Sequence, residues 1–306
     1  MVSGTRRAAR PGRKEPNVKT SLRQNIRKTA LLVSLLLFPL TMYYFSPVLV
    51  IQGAAAGIAA GSLVMFGLLF LSSLVAGRAF CGWLCPAGGL QEGCASIRSK
   101  TLKPGRRDLV KYVIWVPWIA AIVAAVASAG GLTSLQPLYQ TEHGVSIGDP
   151  AKYVIYYGFI VMIVVLALTL GRRAFCRYVC WMAPFMVLGR RLRNAAGWPA
   201  LRLVADTAAC SQCGTCTRAC PQSLDVRGHV ARGTMEDPEC ILCGNCVDTC
   251  PSRTLRFSFS PGTRHCTAVP GSVRAAGAAA SAPRPAAEAG RLVDSTRAVV
   301  SDRAVA

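Results

Sequence analysis

Apolar residues in this chain come in long blocks, and charge is confined to the stretches between them. Four blocks, residues 29–45, 58–76, 112–129 and 153–170, each approach the roughly 20 residues that a helix needs to cross hydrocarbon. The first is interrupted by Pro39 and ends at Tyr43 and Tyr44; the third carries Trp115, Pro117 and Trp118; the fourth opens with Tyr153, Tyr156 and Tyr157. Aromatic rings near block ends suit the interfacial belts of membrane proteins. One such block alone reads equally well as a buried soluble helix, but four in series predict a membrane bundle. Residues 46–57 are apolar yet rich in Gly, Ala and Pro, and the pattern leaves open whether they are re-entrant or interfacial.

After the fourth block the pattern changes. Residues 185–205 mix arginines with Leu, Val and Trp198, predicting an interfacial amphipathic segment. Residues 206–260 are polar and cysteine-rich, and residues 261–306 turn to Ala, Arg, Pro, Ser and Gly, the composition of a disordered tail. Residues 1–28 carry Arg6, Arg7, Arg10, Arg13, Lys14, Lys19, Arg23, Arg27 and Lys28 against Glu15 alone. No small-residue cleavage site follows early, so they read as a basic arm near anionic lipid rather than a signal peptide.

Composition strengthens the membrane reading: of 306 residues, 52% are hydrophobic and 16% charged. A net charge of +21 raises nucleic acid as a partner, but the basic residues sit beside the apolar blocks, where they set topology. Nucleic-acid binding is therefore excluded. Arg78, Arg98, Lys100, Lys103, Arg106, Arg107 and Lys111 follow the second block; Arg172, Arg173, Arg177, Arg190, Arg191, Arg193 and Arg202 follow the fourth. Between the third and fourth blocks Lys152 stands alone, beside Glu142 and Asp149. The positive-inside rule then puts both termini, the second-to-third loop and residues 206–260 on the cytoplasmic side of the cell membrane.

The membrane part is duplicated. Residues 77–86 read G-R-A-F-C-G-W-L-C-P and residues 171–181 read G-R-R-A-F-C-R-Y-V-C-W. Both copies give R-A-F-C-x-aromatic-aliphatic-C, so the bundle is predicted to be two related hairpins. Positions i and i+4 share a helix face, so Cys81 with Cys85 and Cys176 with Cys180 each present two sulfurs. Three readings stay open for them: a metal site or third cluster, redox-active thiols or a transient metal such as copper, and plain packing. Cys94 has no counterpart in the second copy and reads as structural; Cys266 reads as a spare thiol.

The strongest chemistry lies in residues 210–251. Both halves read C-x2-C-x2-C-x3-C-P, the spacing of bacterial ferredoxins, in which three thiolates wrap one 4Fe–4S cube and the fourth, before proline, reaches the other. That assigns Cys210, Cys213, Cys216 and Cys250 to one cluster and Cys240, Cys243, Cys246 and Cys220 to a second. Structural zinc is the plain alternative, but zinc does not call for two octads that both end in Cys-Pro. Such clusters belong where thiols stay reduced, which is again the cytosol. Of His143, His229 and His265 none lies inside an apolar block, which excludes a bis-histidine haem. Asp225, Glu236, Asp237 and Asp248 read as solvating charges. No phosphate-binding or dinucleotide motif is present.

Taken together, residues 29–260 resemble the membrane polyferredoxins of the NapH and NosR type. The resemblance rests on the four apolar blocks, the C-G-W-L-C-P and C-R-Y-V-C motifs and the paired ferredoxin runs. It implies a mainly α membrane protein, with four transmembrane helices as a duplicated hairpin and a small α+β two-cluster ferredoxin domain. It also implies an electron-transfer protein or oxidoreductase subunit working between the quinone pool, or a membrane partner, and a redox partner protein. A related branch resembles assembly factors of cytochrome oxidase linked to copper reduction, the competing function. A cluster-based sensor is a third class. The second copy departs from the family pattern, with Trp181 in place of the proline after Cys180.

Overall fold

Chain breaks in helical preference decide where the elements fall. The computed structural model describes residues 21–261 apart from 104, 143, 147–149, 151 and 234. The arm before residue 21, His143, Asp149, and the tail from residue 262 with His265 and Cys266 lie outside the described residues. Helix α1 (Leu22–Leu36) starts at Ser21, whose hydroxyl accepts from the Gln24 amide, the usual service of a serine at a helix start. The helix thus takes in residues 22–28 of the expected basic arm, and Gln24 and Arg27 are buried there. Helix α2 (Phe38–Thr41) and the 3-10 turn Met42–Phe45 follow, bent by 61° against α1. Pro39 accounts for the bend, because its ring removes a donor and crowds the preceding turn.

Residues 46–57 form a short helix, α3 (Pro47–Ala55), with Ser46 as cap and Pro47 in the first turn. Strand β1 (Ile58–Ala60) then pairs in parallel with β2 (Ser134–Gln136). That pairing consumes the start of the second apolar block. What remains is α4 (Gly61–Ala76), 16 residues, or about 24 Å at 1.5 Å per residue. Two short helices follow, α5 (Ala79–Trp83) and α6 (Pro86–Ile97). The long apolar helices are α7 (Val110–Ser128), entered through a 3-10 turn, and α8 (Lys152–Thr169). By length and composition these two can cross a membrane, with a third if α1 and the bent segment after it form one span. Of the four spans read from hydropathy, two or three meet that length, and α4 is a shorter apolar helix. Only 17% and 11% of the apolar windows of the two long helices are buried. Outward valines and isoleucines such as Val113, Val116, Val154 and Ile155 suit hydrocarbon rather than water.

The second copy of the hairpin mirrors the first: α9 (Ala174–Tyr178), then α10 (Ala183–Ala195). The expected interfacial segment 185–205 is divided between α10 and strand β3 (Ala200–Ala205), and Arg190, Arg193 and Arg202 within it are buried. The ferredoxin part contains α11 (Thr215–Ala219), α12 (Val226–Ala231), α13 (Asn245–Asp248) and β4 (Leu255–Ser260). β3 and β4 pair antiparallel with Ala200 opposite Ser260 and Ala205 opposite Leu255. One apolar core, with Phe66, Leu69, Ile163, Phe175 and Met186, fills the bundle and reaches up to Ile241 and Cys243. A second, with Leu203, Leu224, Val226 and Leu255, lies under the β3–β4 ribbon.

Candidate metal centre

The two ferredoxin octads form loops whose tips turn through Gly214 and Gly244, both left-handed at φ 73° and 80°. Only glycine takes that conformation without strain, and it lets the chain curl between the second and third cysteines. Cys220, Cys240, Cys243 and Cys246 line one closed cavity together with Leu224, Val226 and Ile241. This is the set that the spacing assigns to a single cube, with Cys220 brought in from the other octad. Burial pushes the Cys220 thiol up to about 12 and the Cys243 thiol up to about 11, so these sulfurs ionise only when a metal takes the proton's place. Cys216 has Cys250 and Cys213 as its charged neighbours, and Cys210 and Cys216 flank the core beneath β3 and β4. Cys213 is exposed, so this second set opens to solvent.

The buried loop rests directly on the helical bundle. Trp83 Nε1 donates to the Leu242 carbonyl at 3.1 Å. A Cβ on Gly82 would lie 2.3 Å from the Ile241 carbonyl oxygen, so glycine alone permits this approach. From the other side, Gln24 Nε2 donates to the Cys243 carbonyl at 3.0 Å and to Asp248 Oδ2 at 2.6 Å. Arg27 Nη1 donates to the Gly82 carbonyl at 3.1 Å. Helix α1 therefore closes over the joint between the first duplicated motif and the ferredoxin loop.

Cys81, Cys85, Cys176 and Cys180 share the bundle core and are 2–3% exposed. They do not lie as two helical i, i+4 pairs. Cys81 and Cys176 are on α5 and α9, while Cys85 and Cys180 follow the ends of those short helices. Pro86 opens α6 and Pro184 stands in the first turn of α10, so both copies still follow the second cysteine with a proline-started helix. Trp181, in the place of the family's proline, donates from Nε1 to the Phe45 carbonyl at 3.0 Å. An apolar cavity of about 460 Å³ adjoins this group, walled by Phe38, Phe45, Phe159, Trp181, Met182 and Cys85, with Gln52 and Gln140 as polar members. Among the described residues, no three His, Cys, Asp or Glu side chains converge closely enough for a single metal ion.

Charge is where the sequence reading fell short. Six of the basic residues read as topology markers, Arg78, Lys111, Arg173, Arg177, Arg190 and Arg202, are buried and paired with carboxylates. Glu92 binds both Arg27 and Arg173; Glu239 binds both Arg78 and Lys111; Glu236 binds both Arg190 and Arg202. Burial pushes the Glu236 carboxyl up, but Arg190 and Arg202, with Asn194, outweigh it and bring it down to about 2. Burial likewise raises Glu239, and Arg78 and Lys111 more than reverse it. Glu236 is thus a clamp between α10 and β3 rather than a solvating charge. Asp237 accepts from the Glu239 amide, Asp248 accepts from Gln24, and Asp225 caps α12. A signal for the arginines was present, since Arg78 and Arg173 are the same residue of the repeated R-A-F-C.

Comparison with known proteins agrees with the geometry. A family described as a 4Fe-4S binding domain matches residues 58–104 and again residues 153–199. One described as a 4Fe-4S dicluster domain matches residues 202–251. The methylamine utilization ferredoxin-type protein MauN of Paracoccus denitrificans is 28% identical over 183 residues, covering 58% of this chain and 60% of that protein. The putative electron transport protein YccM of Escherichia coli is 27% identical over 201 residues, 62% of this chain and 54% of its own. The regulatory protein NosR of Pseudomonas aeruginosa is 24% identical over 180 residues, 55% of this chain and 23% of its own. The chain thus spans less than two thirds of the length of each of these relatives. No solved structure matches it.

Proposed function

We propose a function from the premise that the chain belongs to the polyferredoxins of the NapH and NosR type: it is a membrane-anchored electron carrier with two 4Fe–4S sites. Cys210, Cys213, Cys216 and Cys250 bind one cluster, and Cys240, Cys243, Cys246 and Cys220 the other. Bound there, the clusters supply one-electron transfer without proton chemistry of their own. The observation that carries this reading is the opposite placement of the two sets. Cys243 belongs to the core of the membrane bundle, whereas Cys213 is exposed. Leu224, Val226 and Ile241 exclude water from the inner set, and the outer set is open to a redox partner protein.

On the membrane side, the 460 Å³ cavity beside Cys85 has the volume and the apolar, aromatic lining of a small-molecule site. It supports the quinone pool as the membrane-side partner, with Gln52 and Gln140 as hydrogen-bonding groups for a quinone carbonyl. The outward apolar faces of α7 and α8 support a multi-pass place in the cell membrane. The ferredoxin part, joined to the basic loop after α6 where the Leu102 amide donates to Ser223 Oγ at 3.0 Å, would then lie on its cytoplasmic side. The assembly-factor alternative would place its metal at Cys81, Cys85, Cys176 and Cys180, which share the bundle core.

The test is spectroscopic. Anaerobically purified protein in lipid nanodiscs should show 4Fe–4S EPR signals on reduction, and a short-chain quinol should change their redox state. Protein that contains zinc in place of iron would overturn the reading. Clusters indifferent to quinol while Cu(II) is reduced at a rate dependent on Cys85 would favour the assembly factor.

A further inference from the structure

Neither duplicated motif has enough sulfur to hold a cube by itself. The segment 58–104 contains Cys81, Cys85 and Cys94, and the segment 153–199 contains Cys176 and Cys180. The fold joins them. Cys85 has Cys176, Cys81 and Cys180 all as electrostatic neighbours, and Cys180 has Cys176 and Cys81. All four are free thiols in one apolar core, while Cys94 stands apart on α6 and reaches the α1 side of the molecule.

We propose that Cys81, Cys85, Cys176 and Cys180 together hold a third 4Fe–4S cluster, one formed only by the union of the two copies. The proposal rests on the electron-carrier reading for its purpose, but its evidence is separate. The first part is charge. Arg78 and Arg173, the matching arginines of the two copies, are 0% and 1% exposed. Arg78 neighbours Cys81 and Cys180; Arg173 neighbours Cys176 and Cys243. Each shares its carboxylate with a second buried cation, so the surroundings of the four sulfurs carry uncompensated positive charge. Burying charge without a counter-ion is costly. Four neutral thiols do not answer it, whereas a cube held by four thiolates is anionic and does.

The second part is unused hydrogen bonding. Among the described residues, Arg78 Nε and Nη2 and Arg173 Nε are buried with no partner. Gln91 Nε2 already points at sulfur, 3.0 Å from Cys176 Sγ, with its Oε1 held by the Phe175 amide at 3.1 Å. Such N–H groups around thiolate sulfur are what stabilises a cluster and sets its potential. Cys81 Sγ lies 3.9 Å from Met186 Sδ, and a thioether on three rotatable bonds yields space readily.

The third part is position. The loop carrying Cys81 and Cys85 abuts the one carrying Cys240 and Cys243 through Gly82 and Trp83, with Arg173 beside both Cys176 and Cys243. A centre here stands between the apolar cavity at Cys85 and the inner ferredoxin site, completing a line from bilayer to surface.

The experiment is an iron and acid-labile sulfide count on the full chain, purified anaerobically in nanodiscs, with EPR of the reduced protein. About twelve irons per chain are expected from three cubes. A Cys85→Ser/Cys180→Ser double variant should fall to about eight with the ferredoxin signals intact, and Cys94→Ser should stay at the parent value. About eight irons in the parent protein, with normal ferredoxin signals, would overturn the third cluster and leave the carrier reading standing. One zinc or copper ion per chain beside eight irons would overturn it too. Iron-free parent protein would sink both readings, and the parent count decides even where the double variant fails to fold.

Discussion

Arg173 Nη1 donates to the Cys81 carbonyl at 2.7 Å, so the second copy of the duplicated motif grips the first through its backbone. The same guanidinium is paired with Glu92, which Arg27 of α1 also holds through two hydrogen bonds of 2.7 and 2.8 Å. Three segments far apart in sequence meet on one carboxylate. Arg173→Met leaves the Cys81 carbonyl without this donor and Glu92 with one cation. The expected loss is about 1–3 kcal/mol, the cost of a buried acceptor left without its donor, read as a lower thermal midpoint in nanodiscs. Arg173→Lys should recover part of it only, because an ammonium lacks the planar fork. An unchanged midpoint in Arg173→Met would show that the clamp is unimportant.

Glu236 makes stability depend on acid. Its carboxyl is held near 2 in the folded chain against an ordinary 4.5. A depressed carboxyl contributes stability that is present above about 4.5 and is lost as pH falls through about 2. The size is about 3 kcal/mol. In Glu236→Gln the destabilisation relative to the parent should be constant from pH 8 to about pH 5 and shrink below that. Because the comparison is between two proteins at each pH, acid lability common to both cancels. A difference that grows on acidification would refute the assignment.

Gly82 sets how closely the bundle and the ferredoxin loop can meet. Its missing Cβ would sit 2.3 Å from a backbone oxygen, which cannot rotate away. Gly82→Ala should therefore push the Ile241 loop off the bundle, at about 1–3 kcal/mol for overpacking. The EPR signal of the inner ferredoxin site is expected to broaden or vanish while that of the outer site persists. Retention of both signals with parent line shapes would mean that the loops part without consequence.

Exposure separates the two ferredoxin sites in time. Cys213 is open to solvent, while Cys220, Cys240, Cys243 and Cys246 are buried. A water-soluble iron chelator should release about four irons per chain quickly and the rest slowly. A Cys213→Ser variant should lose the fast phase selectively. Single-phase release from the parent would contradict the difference in access.

A ferredoxin-type segment could be read from spacing alone, because C-x2-C-x2-C-x3-C-P is a local pattern, and a 4Fe-4S dicluster domain matches residues 202–251. The pairing of β1 with β2 could not. Hydropathy sees residues 58–76 as one apolar run, but β1 pairs with a strand more than seventy residues later, with Ile58 opposite Ser134. Close approaches at Gly53 and Gly61 permit that long-range contact. The arginines were misjudged for a related reason. A charge beside an apolar block looks like a loop marker until the fold reveals the carboxylate that faces it, and Glu92 and Glu239 lie far from Arg173 and Arg78 in sequence. Their presence at one position of both repeats was visible, and its meaning was not.

The grip of α1 on the inner loop has a bearing on biogenesis. Gln24 and its acceptor at Cys243 are 219 positions apart, so α1 cannot complete this contact until the inner ferredoxin loop has been synthesised. Docking of α1 is therefore a late event in maturation, and it reports that the inner loop has already closed.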